Sequence, residues 1–174
     1  MPNTTLTQAI KEAYAAAPTD TVILHTLELR HVALTVPIRV VLDNQDWVLT
    51  LEAGAPVNPG QAVTFIKFRF DFRIPDITDG SSPEMEVSMD NVDRSIVDGL
   101  EAANASPSKL ELTYRQYTNL ITSAPQNNPP LHLIVNHCEV NLFRATLRAG
   151  FGDTVNKSFP GETYDVGRFP GLVV

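Results

Sequence analysis

His132, His137 and Cys138 are the most closely spaced side chains in this sequence that could hold a transition metal. The run around them, Leu131 to Ala149, reads as β-strand. On a regular strand two residues five positions apart face opposite ways, and so do the adjacent His137 and Cys138. The spacing therefore predicts no metal centre and no bound cofactor. Cys138 as a nucleophile would need a base within reach and electropositive surroundings, whereas its neighbour is Glu139. A buried, unreactive thiol is the expectation. As the one cysteine present, it has no partner in the chain for a disulfide.

Carboxylate pairs are the other candidates for chemistry. Glu84 with Glu86, and Asp90 with Asp93, could act in acid–base catalysis or bind calcium. The first pair alternates with Met85 and Val87, as the solvated face of a strand does. The second falls where acidic residues favour a helix N-terminus. Phosphate-cradling glycine loops, the G-x-S-x-G elbow and the H-E-x-x-H helix are absent from the sequence. These residues predict a protein that is not an enzyme.

The elements that would position such side chains are mostly strands. Leu6, Ile10, Ala13 and Ala17 recur at helical spacing, Thr5 with Gln8 matches a capping box, and Pro18 closes a helix over Thr5 to Ala17. Strands are predicted over Val22–Arg30, Thr35–Leu42 and Asp46–Leu51. Pro37 is read as marking an edge strand, and Asp43-Asn44-Gln45 as the turn of a hairpin between the second and third. In Thr64–Ile74 the residues Ile66, Phe68, Phe70, Phe72 and Ile74 alternate with Phe65, Lys67, Arg69, Asp71 and Arg73, predicting one strand with an apolar and a charged face. Met85, Val87 and Met89 repeat the alternation. A second helix is expected over Val92–Ala103, capped by Asp90 or Asn91. Leu110, Leu112 and Tyr114 mark a further strand. The slip of alternation near Leu142-Phe143 predicts a bulge or a bend between two strands. The domain is thus read as residues 1–150, with an irregular tail over 151–174 that neighbouring subunits order.

With 20 acidic against 13 basic residues, the charge of −7 argues against a nucleic-acid partner, which would need clustered Lys and Arg. No window approaches the roughly 20 apolar residues of a membrane span. The N-terminal residues lack the basic and apolar stretches of a secretory signal, so synthesis in the cytosol is expected.

The run Met85 to Val97, followed by Leu112-Thr113-Tyr114-Arg115 and by Phe159-Pro160-Gly161, Tyr164 and Phe169-Pro170-Gly171-Leu172, resembles a family of phage proteins of formerly unknown function. A fainter likeness reaches the N-terminal domain of the lambdoid minor tail protein L, a tail-tip hub component that assembles as a ring of three. The resemblance implies a structural subunit of a siphophage or prophage tail tip, located in the virion, with tail-tube, tape-measure and other tail-tip proteins as partners. It implies a homotrimer, or a hexamer if the chain is instead a distal tail protein. That relative holds an iron–sulfur cluster on several cysteines, whereas Cys138 stands alone here, so no cluster is expected.

The expected fold is mainly β with two helices (α+β), an antiparallel sandwich or barrel-like hub domain. Interface residues are expected in the alanine-rich helix, at Pro37, and in the tail at Phe151, Phe159, Pro160, Gly161, Phe169, Pro170, Gly171 and Leu172. A carbohydrate-binding or receptor-binding β-sandwich would need an exposed aromatic platform, and Trp47, Tyr114 and Tyr117 are scattered. A cell-wall hydrolase would need a Cys–His or metal signature.

Overall fold

Helix α1, Gln8–Ala16, begins where the Thr7 carbonyl accepts the Lys11 amide at 3.2 Å. Thr7 is tied to Gln126 twice, amide to carbonyl at 2.9 Å and hydroxyl to side-chain oxygen at 2.7 Å, which fixes the helix against the β-domain. Ile10 and Ala13 are its buried face. The computed structural model describes residues 6–16, 18, 20–74, 84–90, 103, 106–141 and 144–152. The helix expected over Val92–Ala103 lies outside them except for Ala103, which is buried in the core.

The centre of the domain is an eight-residue antiparallel pair, β1 (Ile23–Arg30) with β7 (Glu111–Thr118), in register from Ile23↔Thr118 to Arg30↔Glu111. Around it run β2 (Ile38–Val41), β3 (Trp47–Thr50), β4 (Ala62–Lys67), β5 (Phe70–Arg73), β6 (Glu84–Asp90), β8 (Leu131–Val140) and β9 (Arg144–Gly150). The nine strands form one mixed sheet in the order β3-β4-β2-β1-β7-β8-β9-β6-β5. Every pair is antiparallel except β2 with β4. The architecture is thus α+β and mostly strand, as expected, but not purely antiparallel.

Both faces of the central pair are covered. Leu27, Leu29, Leu112 and Tyr114 point to a large core shared with Met85, Val87 and Met89 of β6 and Ala145, Leu147 and Ala149 of β9. Leu24 and Tyr117 point the other way, into a second core with Leu49, Leu51 and Phe65. Burying each such leucine, valine or phenylalanine contributes about 1.5–3 kcal/mol. The two flanks of the sheet supply the covers. At one flank Thr50 reaches the far end of β7, its amide bonded to the Thr122 carbonyl and its carbonyl accepting the Tyr117 hydroxyl, both at 2.9 Å. At the other, Phe72 of β5 lies 4.9 Å from the His25 ring and 5.4 Å from the Tyr114 ring.

Several local expectations are corrected. Pro37 does not mark an edge, because β2 lies between β1 and β4. The proline precedes the first residue of the strand, where its missing N–H costs no ladder bond. The turn after Leu42 is present and Asp43 accepts the Trp47 indole N–H, but β3 does not return along β2. It pairs with β4 instead, and β4 takes the slot beside β2 in parallel, Val40↔Ile66 and Val41↔Lys67. The phenylalanine-rich run is two strands separated by Phe68 and Arg69. Phe65, on the side read as charged, is fully buried in the second core, whereas Ile66 and Ile74 are exposed. The turn between β8 and β9 lies where the alternation slips, closed by the Asn141 amide on the Arg144 carbonyl at 2.9 Å, with Leu142 and Phe143 outside the described residues. A register shift occurs elsewhere, between Val135 and His137.

Candidate interaction surface

The outer face of the β2–β1–β7 segment carries a buried cluster of charge. Glu28, fully buried, accepts a hydrogen bond from Arg39 Nε at 2.9 Å and lies 3.5 Å from Arg115 Nη1. Arg115, also fully buried, makes a two-pronged bond to Glu52, Nε to Oε2 at 2.7 Å and Nη2 to Oε1 at 2.9 Å. Arg39 Nη2 adds a bond to Asn58 Oδ1 at 3.0 Å, and Asn58 sits at φ 56°, in the left-handed region that asparagine tolerates. The Glu52-to-Asn58 loop is thereby bolted over the sheet. Burial pushes the Glu52 carboxyl up, but the Arg115 bonds, a backbone bond and the neighbouring positive charge outweigh it and hold the group below its ordinary range. Burial likewise opposes the charge on Arg115, and the two glutamates outweigh it. Sequence reasoning missed this cluster. The available signal was a charge set among apolar residues of both faces, as Glu28 is set in Leu24, Leu27 and Leu29.

On the inner face, Gln116 Nε2 donates to the Tyr114 hydroxyl at 2.6 Å, and that hydroxyl shares a hydrogen bond with His25 Nδ1 at 2.8 Å. Burial raises the Tyr114 phenol well above its ordinary range and lowers the His25 pKa, so both groups are neutral at neutral pH. Tyr114 and Tyr117 are buried and offer no face to a sugar ring.

The bulge in β8 overturns the strand-parity reading of the histidines. Leu131, Leu133 and Val135 pack inward, as do Cys138 and Val140, so the inward set shifts by one residue between Val135 and Cys138. His132 and His137 therefore share the outer face. They are still about 15 Å apart along the strand at its rise per residue. His132 Nδ1 is paired with the Thr113 hydroxyl at 3.0 Å. Cys138 is half-buried, and burial raises its thiol pKa. Among the described residues no group of three or more His, Cys, Asp or Glu side chains comes together to hold a metal. Glu84 and Glu86 are exposed and face Asn136 and Arg148.

Two of the expected interface residues converge. An ion pair between Arg30 and Glu111 closes the end of the central strand pair. On one side of it a recess of about 350 Å³ is walled by Pro37, Val32, Pro56 and Val57. On the other a recess of about 240 Å³ is walled by Phe151, His132 and Ile134. Their apolar walls stand in solvent, Val32 79% exposed and Phe151 51% exposed, with Val36 beside them at 66%. His31 shapes this end of the loop, Nε2 donating to the Ser108 carbonyl at 3.1 Å and Nδ1 accepting the Ala33 amide at 3.0 Å. Gly152, at φ 80°, turns the chain beside Ile134. Phe159, Pro160, Gly161, Phe169, Pro170, Gly171 and Leu172 lie outside the described residues. The alanine-rich helix exposes Tyr14, Ala15 and Ala16.

The fold and this surface define a mostly-β α+β domain with two apolar-rimmed recesses at one end of its central strands. Residues 9–164 match a family described as a domain of unknown function, DUF1833, and the chain belongs to that family. No curated protein matches the chain. Among the described residues no helix is long and apolar enough to cross a membrane.

Proposed function

We propose that the chain is a non-enzymatic structural subunit of a siphophage or prophage tail tip, a homotrimeric ring that joins the tail tube to the central hub. The observation that carries this reading is the exposed apolar relief around Arg30 and Glu111, where Val32, Val57 and Phe151 stand at the two recesses and the exposed Val36 adjoins Pro37 in the chain. Apolar clusters of this kind are costly in water and are what a subunit contact covers. The ordered resemblance of Met85–Val97, Leu112–Arg115 and the two Phe-Pro-Gly triplets to phage tail proteins supplies the setting.

The finer fold reading that goes with it is a barrel-like hub domain. Its support is the ring contacts that bring β5, at one end of the strand order, against β1 and β7 in the middle. The ionisable groups of the buried cluster are spent on one another, which favours a mechanical over a catalytic role. Light scattering on the purified chain over a range of concentrations tests the ring: a trimer is expected, a hexamer redirects the reading to a distal tail ring, and a monomer at every concentration overturns it. Immunogold labelling of intact tails tests the location, with label expected at the tip.

A further inference from the structure

The charge cluster on the outer face of β1 and β7 leaves three polar atoms unsatisfied. Glu28 Oε1, Arg30 Nη1 and Arg115 Nη1 are each shut off from solvent and lack a hydrogen-bond partner among the described residues. They gather around one carboxylate. Arg30 Nε stands 3.9 Å from Glu28 Oε1 and Arg115 Nη1 stands 3.5 Å from Glu28 Oε2, both too far for a well-formed hydrogen bond. Oε2 takes its bond from Arg39 Nε on the other side. The other nitrogens that Arg30 and Arg115 commit go to Glu111 and Glu52. Glu28 and Arg115 are fully buried, so bulk solvent does not make up the difference. Protein interiors pair such groups through a small bridging molecule where direct contact fails.

Charge and bonding capacity decide what that molecule is. Arg30, Arg39 and Arg115 meet Glu28, Glu52 and Glu111, so the cluster is balanced and favours neither an anion nor a cation. His132, which also faces it, is pushed toward its neutral form by burial first and then by the positive charge of Arg115. An anion would accept from both guanidinium groups but meet the lone pairs of Glu28, and a cation would satisfy Glu28 but meet the N–H groups. A neutral group that accepts two bonds and donates one suits all three atoms, and three bonds to otherwise unpaired buried groups is the usual environment of an interior water. We propose that a resident water molecule bridges Glu28 Oε1 to the Nη1 atoms of Arg30 and Arg115. Glu28 and Arg30 belong to β1 and Arg115 to β7, so the water ties the central strand pair across its outer face. It also steadies the guanidinium that grips Glu52, and with it the loop bolted over the sheet. The site does not depend on the tail-tip reading.

A near-atomic-resolution crystal structure of the full chain, grown in bromide, tests the site directly. A water is expected at about 2.7–3.2 Å from Glu28 Oε1 and from both Nη1 atoms. An anomalous bromide peak at that position, or a protein group bonded to Glu28 Oε1 in place of the water, overturns the proposal. Oxygen-17 magnetic relaxation dispersion reads the same water in solution. Arg30→Met takes away one of its three bonds and is expected to shorten its residence by about tenfold, the worth of one hydrogen bond. Arg148→Met, at an exposed position on β9, should leave the dispersion as it is in the parent chain. A dispersion for Arg30→Met that matches the parent chain overturns the proposal as well.

Discussion

Arg115 is the residue that links two carboxylates, holding Glu52 with two bonds and approaching Glu28 from the side opposite Arg39. Arg115→Ala is expected to destabilise the fold by about 3–5 kcal/mol, read from urea unfolding, since it breaks the two-pronged bond to Glu52 and leaves Glu28 only its cations on the other side, Arg39 and Arg30. The double variant Arg115→Met with Glu52→Gln should recover part of the loss, because it also removes the carboxylate whose partner was taken away. The pH dependence follows from the same kind of accounting. Burial lowers His25 from its ordinary 6.5, so below that pH the unfolded chain takes a proton that the folded chain refuses. Stability is full above pH 6.5 and falls as the pH drops through that range. His25→Gln should flatten the slope, leaving the share due to His132, which burial shifts the same way. Glu52, held below its ordinary 4.5, adds stability above that pH that is lost as the pH falls further, and Glu52→Gln should remove this lower step.

At the scale of elements, β7 is covered on both faces and flanked by β1 and β8, whereas β3 pairs only with β4 among the named strands. Amide exchange is expected to be slowest at Leu112 to Tyr117 and faster by orders of magnitude at Val48, measured by hydrogen–deuterium exchange. Among the elements that sequence alone revealed, β1, β6 and β7 fall where Leu27, Met85 and Leu112 set an apolar face. What stayed hidden depends on contacts far along the chain. Phe65 and Phe70 serve different cores, so a continuous alternation concealed the break at Phe68-Arg69. The extra residue in β8 has no mark of its own, and it reversed the facing of His137. Pro37 and Phe151 were legible as unusual residues, but their approach to one ion pair needs the β1–β7 register. The charged cluster was missed because a glutamate in an alternating strand ordinarily faces water, and the leucines around Glu28 were its one mark.

For the molecule as a whole, the apolar-rimmed recesses beside Arg30 and Glu111 make that end the expected site of association. Val36→Asp and Phe151→Asp should each lower the average mass in light scattering. Val48→Asp, on the exposed side of β3, should leave it unchanged. All three positions are in solvent in the single chain, so their effect on unfolding should stay within about 0.5 kcal/mol and the two readouts remain separable.

The two residues between β4 and β5 join strands that stand second and ninth in the sheet order. Covalent chain therefore ties the flanks of the sheet together. A pull that tries to part these two strands is met first by peptide bonds, and passes next to whichever ladder holds the tether in place. That ladder is shortest at β2 with β4, which has two rungs, Val40↔Ile66 and Val41↔Lys67, against eight in the central pair. Under load the domain has a built-in weak seam on one side and a long shear-loaded seam at its middle, so strain yields at the flank and spares the core.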